Sequence, residues 1–310
     1  MAQLLTVILP VFLLIAAGYV ATRTGSFPVS AVGGLMNFTQ RFAFPCLLFR
    51  AVSGFDISEE FHAPLLLTYY LAATICFALG AVGARLLGRN AQDAVVIGFC
   101  CLFSNTLMMG LPITERAFGP DALEANFAII AMHAPFCYTL GILAMELVRA
   151  RETGLNAAKL AGQIGRQVLR NPLVIALMAG FVVNLAALPV PEVARVVIDM
   201  MATAAVPAAL FAVGGVLVQY KLEGDWRLIV MICAITLAVH PALVWIFGSQ
   251  AGLAPDAFRS ALITAAVAPG INAYVFSDIY DRAKRTAASS VLITTSVSLL
   301  TIWFWLGLLP

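Results

Sequence analysis

The sequence predicts an all-α, polytopic membrane protein of about ten transmembrane helices, arranged as two inverted repeats of five helices. Three observations carry this prediction: an apolar composition, a succession of apolar stretches, and residues that recur at one fixed spacing. Of the 310 residues, 62% are hydrophobic and 11% are charged, whereas a soluble domain carries about 25% charged residues. The composition therefore excludes an ordinary soluble domain.

Other bulk properties exclude further classes of protein. A net charge of +2 is too small for a nucleic-acid-binding surface. The cysteines lie in apolar stretches without a CxxC pair or a nearby histidine at ligand spacing, so they are interpreted as packing residues, and no metal or other cofactor is expected. Paired intramembrane carboxylates, an HExxH motif and a Ser-His arrangement are all absent from the sequence, so an enzyme is not expected.

Apolar stretches of roughly 20 residues, the length that crosses a hydrocarbon layer of about 30 Å, follow one another along the chain. The first lacks a basic n-region and a cleavage pattern, so it is expected to be a retained span rather than a signal peptide. Residues 1–148 are expected to form the first repeat and residues 172–310 the second. The predicted spans are residues 3–22, 31–52, 62–86, 94–114, 125–148, 172–188, 192–218, 227–249, 258–280 and 287–308.

The basic residues predict an orientation. The turns after the odd-numbered spans hold thirteen of the eighteen Lys and Arg residues, the opposite side holds four, and Arg41 lies within span 2. Because basic residues concentrate in cytoplasmic loops, both termini are expected on the outer side of the inner membrane. The cytoplasmic linker 149–171 places Leu160, Ile164 and Val168 four residues apart, which fits either a helix on the membrane surface or a solvated segment.

The two halves share residues at an offset of 162 positions. Five helices are an odd number, so the second half enters the membrane from the opposite side and the repeat is inverted. Secondary transporters use inverted repeats and hold their substrate near the midplane, where discontinuous helices meet. The matched pairs are Pro10 and Pro172, Gly18 and Gly180, Tyr19 and Phe181, Asn37 and Asp199, Pro45 and Pro207, and Phe49 and Phe211.

Span 4 contains residues that interrupt helices near mid-membrane. Ser104, Asn105 and Thr106 are of the types that cap helix N-termini, and they stand about eleven residues from the cytoplasmic end. Gly110 and Pro112 follow in the same span and are expected to break the helix further. We expect Ser104, Asn105 and Thr106 to contact a substrate.

Span 9 contains a second break, where Pro269 and Gly270 precede Ile271 and Asn272. Because spans 4 and 9 run in opposite directions, the positive N-termini of their second halves face one point. Free N–H groups and the helix dipoles attract a carboxylate there, and the asparagine amides of both spans add donors. The alternative is a pair of ordinary kinks whose asparagines bond to freed carbonyls, but the matched depth of the breaks favours a binding site.

Few other polar residues lie within the spans. Arg41 sits near mid-depth and needs a partner: Asp199 in span 7, a substrate carboxylate, or a water-filled cavity. His240 in span 8 titrates near neutral pH, so it either couples transport to H⁺ or bonds to backbone beside a proline. For His133 in span 5 the structural role is favoured. Asp199 is a second candidate for ion coupling, and both H⁺ and Na⁺ stay open.

Three stretches of the chain resemble the auxin efflux carrier family, which includes plant auxin exporters and bacterial permeases for malonate or malate. They are Asn37–Phe49, Asn105–Pro112 and Pro269–Tyr280. The resemblance implies a fold similar to bile acid sodium symporters, in which broken helices 4 and 9 cross within a mobile core of spans 3–5 and 8–10. This core moves as an elevator against a scaffold of spans 1, 2, 6 and 7, which also forms a homodimer. The resemblance further implies that Asn105 contacts the substrate carboxylate and that Arg41 faces the site.

Departures from the plant pattern refine the expected substrate. Ser104 stands where plant members carry proline, which suggests a gentler break. Arg41 stands where they carry an apolar residue, which suggests a more anionic substrate such as a dicarboxylate. The sequence therefore predicts a transporter of a small organic carboxylate, with malonate or malate favoured over an auxin-like aromatic monocarboxylate. A channel-like facilitator or a sensor of the same fold stays open.

Overall fold

A computed structural model describes residues 2–54, 63–153, 162, 165, 169–220 and 223–309. These residues are almost entirely helical and form no β-strand, as the all-α prediction requires. Leu160, Ile164 and Val168, on which the predicted linker helix depends, lie outside the described part of the chain. The α-helices are α1 (Ala2–Arg23), α2 (Val29–Phe38), α3 (Phe44–Ser53), α4 (Ala63–Leu86), α5 (Ala91–Leu102), α6 (Leu111–Phe118), α7 (Leu123–Thr153), α8 (Pro172–Leu185), α9 (Glu192–Gln219), α10 (Trp226–Ala234), α11 (His240–Gln250), α12 (Pro255–Ala266), α13 (Ile271–Tyr280) and α14 (Lys284–Leu308).

Several of these helices are long and apolar enough to cross a membrane. Shorter apolar helices accompany them at Leu9–Arg23, Ala91–Leu102 and Pro172–Leu185. This pattern is consistent with a membrane protein, while the number of ten spans stays a prediction. Within the described residues the five long candidates are Ala63–Leu86, Leu123–Arg149, Glu192–Gln219, Trp226–Gln250 and Lys284–Leu308.

Three π-helical turns precede Pro45, Pro112 and Pro241. In each turn the N–H of the residue before the proline donates to the carbonyl five residues earlier. A proline has no N–H, and its ring collides with the carbonyl four residues before it; the wider π-turn moves that carbonyl aside. The expectation that Gly110 and Pro112 break the helix is therefore wrong, because the helical backbone continues through both residues.

The described helices group into two compact units. The first unit contains α4 to α7 and α10 to α14. The second contains α2, α3, α8, α9 and the part of α1 from Leu9 onward. Each unit therefore draws its helices from both halves of the chain.

In the second unit, α1 and α9 touch backbone to backbone. A Cβ placed on Gly18 would overlap the carbonyl oxygen of Phe211, and a Cβ placed on Gly214 would overlap that of Ile15. Small residues allow helices to approach this closely, which is a common mode of packing between membrane helices. Both glycines are therefore required by the crossing.

The equivalent contact also occurs in which the glycine comes from the second half of the chain and the carbonyl from the first. A Cβ placed on Gly180 in α8 would lie 3.1 Å from the carbonyl oxygen of Phe49 in α3. Gly180 follows Gly18 by 162 positions, and Phe211 follows Phe49 by the same number. A pair of repeats related by a two-fold axis requires this exchange, so the contact supports the inverted repeat, which stays a prediction.

The second unit also holds the predicted residues Arg41 and Asp199. Asp199 does not pair with Arg41: its Oδ1 lies 3.5 Å from Nη1 of Arg50, and both side chains are about half exposed. Arg41 lies in the first π-turn, is exposed, and forms no ion pair with a described residue. Of the three partners considered for Arg41, Asp199 is paired with Arg50 instead, and a substrate carboxylate or a water-filled cavity stays a prediction.

Candidate functional site

The first break in the helices lies within the predicted span 4. Helix α5 makes its last hydrogen bond from the N–H of Phe103 to the carbonyl of Phe99, at 3.0 Å. The backbone then leaves helical geometry at Phe103 (φ −91°, ψ 89°) and at Asn105 (φ −79°, ψ 59°), and helix resumes at Thr106. Serine and asparagine compete for local backbone bonds and so favour helix ends. The span therefore consists of two half-helices.

The second break lies within the predicted span 9. Helix α12 ends at Ala266, the backbone is extended at Val267 (φ −80°, ψ 155°), and Gly270 (φ −72°, ψ 162°) is the N-cap of α13. Pro269 cannot donate to a helical ladder, and it disfavours helical geometry in the residue before it. The proline and its predecessor therefore keep this segment extended.

The two breaks bind each other within the first unit. The N–H of Asn105 donates to the carbonyl of Ala268, and the N–H of Gly270 donates to the carbonyl of Phe103, both at 2.9 Å. A Cβ placed on Gly270 would lie 3.5 Å from the Cα of Asn105. The N-cap positions of the two second half-helices are therefore in van der Waals contact, and their N-termini meet at one place.

Four backbone donors are left over where these N-termini meet. The N–H groups of Leu107, Met108, Ile271 and Asn272 form no hydrogen bond with a described residue. The side chain of the N-cap Asn105 accepts none of them, and the other N-cap is a glycine. The first N–H groups of any helix lack partners within the helix, and the dipole adds a partial positive charge there. Such an N-terminus binds anions, and here two of them adjoin.

The predicted asparagines add side-chain donors beside these N–H groups. The Asn105 side chain is 7% exposed and forms no hydrogen bond with a described residue. The half-buried Asn272 accepts at Oδ1 from the hydroxyl of Tyr138, at 3.2 Å, which leaves its NH₂ group to donate elsewhere. Thr106 and Ile271 are the first residues of the two half-helices. The structure thus brings together the predicted residues of spans 4 and 9.

Ser104 is engaged by two histidines. Its carbonyl accepts a hydrogen bond from Nε2 of His133 at 3.1 Å, and its hydroxyl oxygen lies 3.4 Å from Nδ1 of His240. All three residues are buried, and the ring of Tyr69 packs against both imidazoles. The sequence did not place His133 at this site, and no periodic signal connects it with a residue 29 positions earlier. A substrate contact of Ser104 stays a prediction.

Aromatic side chains hold the flanks of the breaks together. The rings of Phe99 in α5 and Phe276 in α13 are stacked, with centroids 3.9 Å apart and an interplanar angle of 8°. Phe103 packs edge-on against Tyr138, with ring centroids 5.8 Å apart. Offset-stacked and edge-on pairs of this kind stabilise a packed core. The donors at the two helix breaks therefore belong to well-packed helices.

Among the described residues, no charged side chain is buried near the two helix breaks. None of the described buried residues is Asp, Glu, Lys or Arg. The ion pairs of the first unit lie at helix ends and in turns, such as Arg89 with Asp225 at 3.0 Å and Arg285 with Glu223 at 3.3 Å. The backbone N–H of Arg227 and the Arg89 side chain lower the pKa of Asp225, which stays ionised. The donors at the two breaks are therefore N–H groups, with no buried charged side chain among the described residues.

Comparison with known proteins places the chain in a family. Residues 3–306 match the sequence profile of the family described as "Membrane transport protein". A Rhizobium meliloti (strain 1021) protein named "Putative malonate transporter" is 28% identical over 304 residues, which are 97% of this chain and 94% of that one. A Mus musculus protein named "Lysosomal cholesterol signaling protein" is 25% identical over 191 residues, 59% of this chain and 22% of that longer one. The chain is therefore a multi-pass membrane protein that belongs to this membrane transport family, the auxin efflux carriers.

Proposed function

We propose that this protein is a secondary transporter that moves a small organic carboxylate, of the size and charge of malonate or malate, across the membrane. The observation that carries the proposal is the meeting of two half-helix N-termini with four unpartnered N–H groups in an uncharged interior. A carboxylate supplies oxygen acceptors and the negative charge that helix N-termini favour. The name of the Rhizobium meliloti relative supports the same substrate class.

The donors favour a small and strongly anionic ligand. Beside the four backbone N–H groups, the amides of Asn105 and Asn272 can donate, and no buried carboxylate competes for them in the described part of the chain. One carboxylate accepts about four hydrogen bonds, so a ligand with a second carboxylate uses the donors more fully. Arg41 is proposed to favour the dicarboxylate, on the basis of the family resemblance.

The proposed mechanism is an elevator with alternating access. The first compact unit contains the helices proposed as the mobile core, and the second contains those proposed as the scaffold and homodimer contact. Two hydrogen bonds are equivalent under the repeat: one runs from the N–H of Asn105 to the carbonyl of Ala268, and the other from the N–H of Gly270 to the carbonyl of Phe103. Gly270 follows Asn105 by 165 positions, and Ala268 follows Phe103 by the same number. This reciprocity supports two inverted repeats, and the proposal keeps ten spans with both termini outside the inner membrane on the basis of the sequence.

Counterflow in proteoliposomes tests the proposed function. Vesicles that contain the purified protein and are preloaded with unlabelled malonate are expected to accumulate labelled malonate with saturable kinetics. A channel-like facilitator gives flux without counterflow, and a sensor gives binding without flux. Vesicles that show neither binding nor flux for malonate and malate would overturn the proposal.

Substitution of the two asparagines tests the site itself. Asn105→Ala and Asn272→Ala each remove a donor to a charged group, which is worth about 1.5–3 kcal/mol and corresponds to a roughly 10- to 150-fold rise in Kd. Malonate binding is measured by calorimetry on the purified variants. Ser296→Ala, in the exposed part of α14, is the matched control and is expected to bind like the wild type. Unchanged affinity in both asparagine variants would refute this site.

A further inference from the structure

Two of the three histidines of the chain contact one residue beside the anion site. His133 in α7 and His240 at the start of α11 both lie against Ser104, the residue that precedes the N-cap Asn105. They are 2% and 0% exposed, respectively. The third histidine, His62, lies outside the described residues. Two buried imidazoles thus contact the residue that directly precedes Asn105, the proposed carboxylate ligand.

Each neutral ring keeps one nitrogen with a lone pair that can accept a proton, and the hydrogen bonds identify this nitrogen for His133 only. The Ser104 carbonyl can only accept, so Nε2 of His133 carries the hydrogen and Nδ1 holds the lone pair. The Cys137 sulfur lies 3.8 Å from that Nδ1, and a thiol is a weak hydrogen-bond partner. Nε2 of His240 is buried and has no hydrogen-bond partner among the described residues. A buried ring nitrogen without a partner is uncommon and calls for an explanation.

Among the described residues, the other titratable groups near the pair are phenols and thiols. The titratable side chains that face the two rings are Tyr69 and Tyr70 from α4 and Cys137 from α7. Phenols and thiols are ordinarily neutral at pH 7. The helices packed around the pair bring no buried Asp, Glu, Lys or Arg within the described chain. Histidine is the side chain whose unperturbed pKa lies in this range, so the pair is the candidate group for a change of local charge.

We propose that His133 and His240 together bind one proton when the carboxylate binds, so that the anion and H⁺ occupy the mobile core together. This inference rests on the proposed function, because it names the ion coupled at the same site. The proton comes from water, forms one N–H bond on an imidazole, and returns to water when the anion leaves. It is shared by the pair, because two interacting sites titrate together rather than singly.

Ser104 links the two binding events. A protonated His133 donates to the Ser104 carbonyl through a charge-assisted bond, which is stronger than the neutral one. The added positive charge lies close to the carboxylate in an interior of low dielectric constant, where attraction between charges is large. Coupling between two ligands is reciprocal, so the proton tightens anion binding as much as the anion tightens proton binding. The ring nitrogen that holds the lone pair in either histidine is the acceptor for this proton.

Calorimetry in buffers of different ionisation enthalpy counts the protons taken up with malonate. Between about pH 7 and pH 9 the carboxyls of malonate are fully ionised, so any proton taken up binds the protein. We expect uptake of up to one proton per malonate and a Kd that rises by as much as tenfold for each pH unit, the limit for one linked proton. The measurement uses the full-length protein in detergent.

Two variants identify the groups that hold the proton. His133→Gln keeps an N–H that can donate to Ser104 but cannot take up a proton, and His240→Gln removes the other imidazole. The double variant is expected to bind malonate with no proton uptake and with a Kd independent of pH. Wild-type binding without proton uptake, or full uptake by the folded double variant, would overturn the inference. Folded wild-type protein that binds no malonate at any pH would instead overturn the proposed function, and this coupling with it.

Discussion

In each compact unit a helix of the first half of the chain contacts one of the second half, and the two contacts differ. We call the contact at Gly18 and Gly214 the glycine joint and the contact at Asn105 and Gly270 the broken joint. In the second unit, Gly18 and Gly214 allow the unbroken helices α1 and α9 to touch. In the first unit, Asn105 and Gly270 meet where both helices are interrupted. The glycine joint lies within two continuous helices, whereas the broken joint exposes backbone donors. The first kind of joint serves packing, and the second can serve binding.

The energetic contrast between the joints is large. An unsatisfied backbone group in hydrocarbon costs several kcal/mol, and the broken joint leaves four N–H groups without a described partner. Close packing alone would favour the unbroken joint, which carries no such cost. An anion that accepts from these four groups removes the penalty. The comparison therefore supports a ligand at the broken joint and a purely structural role for the glycine joint.

The largest expected effect follows from filling the glycine joint. Gly214→Leu is expected to lower the free energy of unfolding by about 3 kcal/mol or more, at the upper end for overpacked cores. The overlapping atom is the carbonyl oxygen of Ile15, which cannot rotate away as a side chain can. Thermal unfolding of the purified variant measures the loss.

Gly33→Leu is the matched control for this substitution. It places the same side chain in the same unit, at a glycine with open space around its Cβ position. We expect the control to unfold close to the wild-type temperature. If both variants prove equally stable, the glycine joint is not a tight contact and the comparison between the units fails.

The next effect tests whether the second unit contributes chemistry as well as packing. Arg41→Leu is expected to shift substrate preference from malonate towards monocarboxylates by roughly tenfold, the lower end for a lost hydrogen bond to a charged group. Competition by a series of mono- and dicarboxylates against labelled malonate measures the ranking. Arg50→Leu removes the arginine paired with Asp199 and is expected to leave the ranking unchanged. An unchanged ranking in the Arg41 variant would limit the second unit to a structural role.

A smaller effect is expected at the residue that orients a donor of the broken joint. Tyr138→Phe removes the hydroxyl that donates to Asn272, so the amide is free to turn its oxygen towards the anion. A neutral hydrogen bond contributes about 1 kcal/mol, which corresponds to a roughly fivefold rise in the Kd for malonate. Tyr220→Phe, a tyrosine paired with Tyr274, is the control. Equal affinities in the two variants would show that Tyr138 does not orient the amide.

The sequence predicted the broken joint better than its surroundings, for physical reasons. Pro269 lacks an N–H and Asn105 favours a helix end, so both breaks follow from local backbone chemistry. Pro112 was misjudged because a π-turn absorbs its missing donor while the helix continues. Local rules indicate strain in the backbone, and the surrounding structure decides whether the strain ends a helix or widens one turn.

Contacts between distant residues were the part that the sequence could not supply. The bond from His133 to Ser104 depends on how α7 packs against the break, and one histidine in an apolar span has no periodicity from which to predict it. The partner of Asp199 was likewise undetermined, because Arg50 and Arg41 lie on the same span. Which arginine reaches the carboxylate depends on the rotation of the helices, and apolar composition hardly constrains that rotation.

The smallest expected effect is at the glycine of the broken joint. Gly270→Ala adds a Cβ that meets the Phe103 ring at 3.4 Å and the Cα of Asn105 at 3.5 Å, which are close to ordinary contacts. Its φ of −72° suits any residue, so the free energy of unfolding is expected to change by less than about 0.5 kcal/mol. Thermal unfolding checks this value beside Gly214→Leu. A loss as large as that of Gly214→Leu would mean that both joints depend on close backbone packing, and the assignment of binding to one and packing to the other would no longer hold.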